Sequence, residues 1–231
     1  MNIAILGYGK MGHLVEEVAK QKGIGVPVTL DKENEGGREI TRERLAEVDV
    51  CVDFSQPDAV VDNVKACAAI GKNIVVGATG WYQHLDDVRA IVSSSDMGMV
   101  YGANFSIGMN LFFKIVDEAA KVVSRFNQYD PFIHEAHHKR KLDAPSGTAI
   151  ELERVMKSVY QSLSVSSTRV GYVPGTHTVG FDSEADTITL VHTARSRQGF
   201  AEGAVMAAEW INGRKGFYDF REIFNSELVG G

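Results

Sequence analysis

Apolar residues along the first hundred positions follow two alternating rhythms. Short apolar runs at Asn2–Leu6, Val26–Leu30, Val48–Phe54, Asn73–Val76 and Met99–Tyr101 read as buried strands. Between the first two, Met11, Leu14, Val15, Val18 and Ala19 recur at helical spacing. Ser55 is placed to cap a second helix, with Asp58 three residues on and Gly71 as its stop. Tyr82–Ser94 reads as a third helix. Strand and helix in this order predict a parallel sheet covered on both faces.

Near residue 105 the rhythm changes. Leu111, Phe112, Ile115, Val116, Ala119, Ala120 and Val123 mark one long amphipathic helix. A strand follows at Pro131–Ala136, then a basic loop and a helix starting near Ser146. Ser167 to Arg195 reads as antiparallel strands, in which Ile188, Leu190, His192 and Ala194 share a face. A last helix at Phe200–Ile211 stops at Gly213. The predicted architecture is α/β: a Rossmann-type, doubly wound dinucleotide-binding domain over 1–104, to which 200–231 returns. A second, smaller α+β domain over 105–199 would serve substrate binding and oligomerisation. The strands from Thr168 to Ala194 are the candidate oligomer surface, because exposed sheet edges and faces need covering.

Gly7-Tyr8-Gly9-Lys10-Met11-Gly12 fits GxGxxG between a predicted strand and a predicted helix. Gly7 suits the tight turn, Gly9 lets backbone approach a pyrophosphate, and Gly12 allows close helix–strand packing. The amides opening the helix would receive the phosphate charge. Asp31 ends the second strand nineteen residues beyond Gly12, near the ~20 expected of an acid that binds ribose hydroxyls. Asp31 favours NAD(H), while Lys32 offers a partner for the 2′-phosphate of NADP(H) that Glu33 and Glu35 oppose.

The chain has 231 residues and a formal charge of -6, which argues against nucleic-acid and acidic-membrane partners. Cys51 and Cys67 lie in apolar runs without CxxC spacing, so they read as core thiols. The opening residues lack signal-peptide features, and the longest uncharged stretch, Met97–Phe113, is interrupted by Asn104, Ser106 and Asn110. A cytoplasmic location is the expectation.

Against that acidic background His137-His138-Lys139-Arg140-Lys141 stands out, running on to Ala144-Pro145-Ser146-Gly147-Thr148. Ser146 suits an N-cap, which places Gly147 and Thr148 in a first helical turn with amides free for an anion. Four readings are open here. The run is a solvated loop, a nucleic-acid patch that the net charge opposes, a metal site of His134, His137 and His138, or a site for an anionic substrate. Strand alternation opposes the metal reading, since neighbouring histidines point to opposite faces. In the last reading histidine supplies a proton donor near neutral pH and lysine a second.

The string Glu135-Ala136-His137-His138-Lys139-Arg140-Lys141-Leu142-Asp143-Ala144-Pro145-Ser146-Gly147-Thr148-Ala149 resembles the signature of the dihydrodipicolinate (4-hydroxy-tetrahydrodipicolinate) reductase family. Asp53-Phe54-Ser55, Gly77-Ala78-Thr79-Gly80, Ala103-Asn104-Phe105-Ser106-Ile107-Gly108, Gly175-Thr176-His177 and Arg197 to Trp210 resemble other family segments. The resemblance implies reduction of a cyclic dicarboxylate with NADH or NADPH on the diaminopimelate route to lysine, in a homotetramer. It makes His137 the proton donor/acceptor and Lys141 the second donor, with His138, Gly147 and Thr148 on the substrate. Gly7, Tyr8, Gly9, Lys10, Met11, Gly12, Asp31 and Lys32 would hold the cofactor, with Gly77, Ala78, Thr79, Gly102, Ala103, Asn104 and Phe105; no metal is implied. The chain departs from the family in a glycine loop one residue shorter, in Ala78 for threonine, in Gly102 for alanine and in overall length. The rival readings are another NAD-dependent dehydrogenase of an amino-acid-derived acid, and a non-enzymatic NAD(H) sensor.

Overall fold

A computed structural model describes residues 1–31 and 39–228. Lys32, Glu33 and Glu35 lie outside the described residues. The chain divides into two compact units, Met1–Ile107 with Arg197–Gly231, and Gly108–Ser196.

The first unit alternates β1 (Asn2–Leu6), α1 (Lys10–Gln21), β2 (Gly25–Leu30), β3 (Val50–Asp53), α2 (Val60–Ile70), β4 (Asn73–Val76), α3 (Leu85–Ser93) and β5 (Gly98–Tyr101). Its six strands are all parallel, in the order β10-β5-β4-β3-β1-β2, where β10 is Gly216–Asp219. The alternation of side chains through the sheet loads both faces. Ile3, Ile5, Val52 and Val100 pack with Val15, Val18, Ala204 and Ile211, while Leu6, Cys51, Ile74 and Met99 pack with Val64, Cys67, Val88 and Val92. Both cysteines are reduced and buried in that second layer.

Two local expectations are corrected. Ser55 caps nothing: its amide donates to Asp53 Oδ1 at 2.7 Å, and a 3-10 turn at Pro57–Ala59 starts the helix without a side-chain cap. Gly71 does end α2, in the left-handed region at φ 69°. The helix expected at Phe200–Ile211 is α6 (Gln198–Ile211), and it is followed by β10 and a short α7 (Phe220–Ile223), neither of which the hydrophobic pattern announced. At four residues, β10 is too short for a periodic signal, and it forms only by pairing along β5.

The second unit opens with α4 (Ile107–Val123), then β6 (Asp130–His137), α5 (Gly147–Met156), β7 (Ser164–Arg169), β8 (Thr176–Asp182) and β9 (Thr187–Thr193). The sheet order is β7-β6-β8-β9. Here β8 and β9 are antiparallel as expected, but β7 runs parallel to β6. The reason is the helix between them: β6-α5-β7 is a crossover unit, and a crossover helix returns the chain in the same direction. Ile133, Val179 and Phe181 face the helices and pack on Phe113, Val116, Leu152 and Met156. Farther along β6, β7 and β8, the same face carries Glu135, His137, Arg169 and His177, because residues two apart share a side. Among the described residues no helix is long and apolar enough to cross a membrane.

Candidate active site

Each unit gathers one constellation of the residues singled out above. In the first, the loops after β1, β2, β3, β4 and β5 emerge at one end of the parallel sheet, the end where open α/β sheets bind ligands. The chain reverses strand order between β1 and β3, and the glycine turn sits there. Gly7 has φ +82°, and an added Cβ would lie 2.6 Å from the Ser55 backbone. A Cβ on Gly12 would lie 2.6 Å from the Gly7 carbonyl oxygen. Gly9 differs, with nothing within 4 Å of its missing Cβ. Two glycines are therefore required by the protein's own packing, and the middle one leaves an exposed backbone cradle at the start of α1. That cradle suits a pyrophosphate.

Asp31 braces this turn, its Oδ2 accepting the Tyr8 amide at 2.5 Å. The Tyr8 hydroxyl donates to Glu16, and that carboxylate pushes the phenol up to about 12. Lys10 is exposed and Met11 half-buried at the first turn of α1. In the β4 loop, a Cβ on Gly77 would meet the Phe54 ring at 2.3 Å, and buried Ala78 accepts the Trp81 indole N–H at 2.9 Å. Thr79 is exposed. After β5, Gly102 is buried, Ala103 is exposed and the Asn104 side chain accepts the Ser106 amide at 2.9 Å. The Phe105 ring is buried against Phe220, with centroids 4.5 Å apart. Its side chain belongs to the core, and its carbonyl packs on Gly203, where an added Cβ would stand 1.8 Å from the oxygen.

In the second unit, His137 ends β6 and meets Glu135 two residues earlier through its Nδ1. Arg169, opposite His137 on β7, closes a fork on Glu135 with contacts of 2.6 and 3.0 Å. Burial alone would raise the Glu135 pKa, but hydrogen bonds from Arg169, Ser167 and His137 outweigh it and hold the carboxyl down at about 2. His177 on β8 turns its ring edge-on to His137, 5.2 Å between centroids. Burial pushes His137 below its ordinary value, as do the Lys141 and Arg169 charges, while Glu135 pulls it up.

Beyond β6 the basic loop turns back through a Lys141 amide bond to the His138 carbonyl at 3.0 Å. His138 is half-buried, and its Nδ1 is enclosed without a hydrogen-bond partner. Ser146 caps α5 as expected, its hydroxyl accepting the Ala149 amide at 3.2 Å. Gly147 is exposed with nothing within 4 Å of an added Cβ, and Thr148 is half-buried beside it. Lys141 Nζ lies 2.8 Å from Asp143 Oδ1 and holds that carboxyl below its ordinary value, and the Gly147 amide at the start of α5 acts in the same direction. One carboxylate thus already rests where a lysine ammonium and a helix-start amide converge.

His134, His137 and His138 do not gather. His134 points to the other face of the sheet, where its Nε2 lies 3.0 Å from Thr168 Oγ1. Among the described residues the group with ligand-type atoms close together is Glu135, His137 and His177, within 4.8 Å. The Arg169 guanidinium already occupies the Glu135 carboxylate, so a second cation there would meet its charge.

Glu135, Arg169 and His177 acquire places that the basic motif did not give them. Glu135 and His137 are two apart on one strand, so alternation put them on one face. Arg169 and His177 arrive from β7 and β8 across the sheet, which no local pattern announces.

His177 is buried, and desolvation, reinforced by the neighbouring His137, lowers its pKa to about 4 from 6.5. Between those values the unfolded chain takes up a proton that the folded chain refuses, so stability is lost as pH falls from 6.5 toward 4. At ~1.36 kcal/mol per unit, lowering pH from 7.5 to 5 is expected to cost about 2 kcal/mol through this residue. Urea unfolding of the parent and of His177→Gln at the two pH values measures it; an equal loss in both would refute the assignment.

Comparison with known proteins gives a consistent result. Residues 1–105 match the family model described as Dihydrodipicolinate reductase, N-terminus, and residues 108–224 match Dihydrodipicolinate reductase, C-terminus. A 4-hydroxy-tetrahydrodipicolinate reductase of Christiangramia forsetii is 36% identical over 240 residues, covering 97% of this chain and 98% of its own. The enzyme of that name from Ralstonia pickettii is 31% identical, with 96% and 99% covered. A solved structure, dipicolinate-bound dihydrodipicolinate reductase from Paenisporosarcina sp. TG-14, shares the fold with a TM-score of 0.80 at 23% identity, covering 96% of this chain and 99% of that one.

Proposed function

Because the chain belongs to the dihydrodipicolinate reductase family, we propose that it reduces 4-hydroxy-tetrahydrodipicolinate to tetrahydrodipicolinate, in the diaminopimelate route of lysine biosynthesis. NADH or NADPH, when bound, supplies the hydride. Gly7, Tyr8, Gly9, Lys10, Met11 and Gly12 hold its pyrophosphate, with Asp31 at the adenosine ribose. The loops at Gly77–Thr79 and Gly102–Phe105 hold the rest.

The observation that carries the residue assignment is the resting place of Asp143. Lys141 Nζ rests on its carboxylate at 2.8 Å, and the Gly147 amide favours the same charge. A substrate carboxylate meets the same donors, joined by Thr148 and His138, in competition with Asp143. Helix-start amides and an ammonium stabilise that charge without reorganising. His137 lies on the neighbouring strand, and it and Lys141 are the groups able to pass a proton to the electron-rich substrate left by reduction. Dipicolinate bound to the Paenisporosarcina protein is a ligand of the same chemical type.

The finer assignments follow the same reading. The protein works in the cytoplasm as a homotetramer. The sheet face away from α4 and α5, carrying Thr176, Thr178 and Val191, is where copies meet; Val191 is 57% exposed there.

The test follows NADH absorbance while purified protein meets the freshly formed condensation product of pyruvate and aspartate semialdehyde. Oxidation that requires the condensing enzyme is the expected result, and a repeat with NADPH compares the two cofactors. A protein that binds NADH yet oxidises neither cofactor would be a sensor rather than a reductase.

A further inference from the structure

Glu135 is completely buried, and both of its oxygens are engaged. Oε1 accepts from Arg169 Nη2 at 2.6 Å and from the Ser146 amide at 3.3 Å. Oε2 accepts from Arg169 Nη1 at 3.0 Å and meets His137 Nδ1. An ionised carboxylate offers only lone pairs, so the hydrogen between it and the ring belongs to Nδ1. The opposite nitrogen, Nε2, faces Gly175, where an added Cβ would stand 3.1 Å away. With φ +133°, Gly175 holds a backbone conformation that suits glycine, and a side chain at that position would crowd Nε2.

We propose that Glu135, held by the Arg169 fork, is a positioning residue that fixes the ring plane and tautomer of His137 and makes Nε2 the nitrogen that passes a proton to the substrate. The proposal rests on the reductase reading for its substrate and on this geometry for the rest. Hydride addition leaves an electron pair on the substrate. That pair takes the proton as the Nε2–H bond breaks, and His137 remains as the neutral ring with hydrogen on Nδ1, to be reprotonated from water. The same carboxylate also receives the amide of Ser146, the cap of α5. One buried anchor therefore holds both the proton donor and the turn proposed for the substrate carboxylate.

The groups facing His137 are Glu135 on its own strand, Arg169 on β7, His177 on β8 and Lys141 on the following loop. Burial comes first among the influences and lowers the ring's pKa, as do Lys141 and Arg169; Glu135 raises it. Exchanging the carboxylate for a neutral amide therefore lowers the midpoint at which His137 loses its proton. The limb on which activity falls with rising pH moves to lower pH.

The experiment uses the full chain labelled with ¹⁵N-histidine, with His137 assigned from the signal missing in His137→Gln. In the parent, the neutral ring is expected to carry hydrogen on Nδ1; a ring with hydrogen on Nε2 overturns the proposal before any variant is made. In Glu135→Gln, the expected results are a mixed tautomer, a lowered midpoint and kcat reduced about 100-fold, the scale of losses when an orienting partner is removed. KM for substrate stays within about 3-fold, because the glutamine amide oxygen can still accept the Ser146 amide and hold that turn, while positioning of the ring acts on proton transfer more than on ground-state binding. An unchanged pH–rate profile and an unchanged tautomer in the variant overturn the proposal as well. The tautomer is read without substrate, so a failure of the reductase reading is distinguishable from a failure of this one.

Discussion

Replacing His137 with glutamine is expected to reduce kcat by about 10²–10⁴-fold, the usual contribution of one general acid. The dissociation constant for NADH should stay within about 2-fold, because the residues proposed for the dinucleotide belong to the other compact unit. Glutamine keeps most of the side chain's bulk and can donate from its amide to Glu135, so the Arg169 fork keeps its partner. It cannot exchange a proton in the working pH range. The loss therefore belongs to the chemistry, and single-turnover NADH oxidation with saturating substrate is where it shows. Lys141→Ala separates the two proposed donors. That variant also loses an ammonium from the carboxylate position now taken by Asp143, so its KM rises along with the fall in kcat. A His137→Gln protein that turns over at the parental rate would remove His137 from the proton-transfer role, whatever the family relationship.

The parts of this arrangement that the amino-acid pattern made legible are those in which neighbours in sequence are neighbours in space. Strand β4 lies where the apolar run Asn73–Val76 placed it, and the Ser146 cap starts α5 as its motif required. The glycine turn is legible for the same reason, since Gly7, Gly9 and Gly12 shape one strand-to-helix corner. What stayed hidden depends on pairing between distant segments. The direction of β7 was set by α5 crossing the sheet, whereas the run of short strands suggested hairpins alone. Arg169 reaches Glu135 from 34 positions away, and only the β6–β7 register places it opposite His137. His177 lies within the stretch read as antiparallel strands, and the pairing of β8 with β6 is what puts it opposite Glu135. The basic motif thus announced the exposed chemistry, and the buried support behind it came from the sheet.

Replacing Gly9 with valine is expected to weaken NADH binding by about 100-fold while leaving the fold intact. The contrast among the three glycines carries this expectation. Gly7 has a positive φ and lies against the Ser55 backbone, and Gly12 lies against the Gly7 carbonyl, so a side chain at either position strains the folded chain itself. Gly12→Ala should cost about 1–3 kcal/mol of stability, as overpacking against a fixed backbone does. Gly9 has φ -85° and ψ -156°, which other residues adopt, and nothing lies within 4 Å of its missing Cβ. Valine there meets open space in the protein and intrudes only where a pyrophosphate would approach the amides of α1. Its stability should therefore stay within about 1 kcal/mol of the parent in urea, while a fluorescence titration with NADH records the weakened binding. A 100-fold change corresponds to about 2.7 kcal/mol, which one displaced phosphate contact and its neighbours can account for. Parental affinity in Gly9→Val would mean that the pyrophosphate rests elsewhere than on this turn. Lost stability would mean that the cradle is part of the protein's own packing, and the glycine pattern would then say nothing about a ligand.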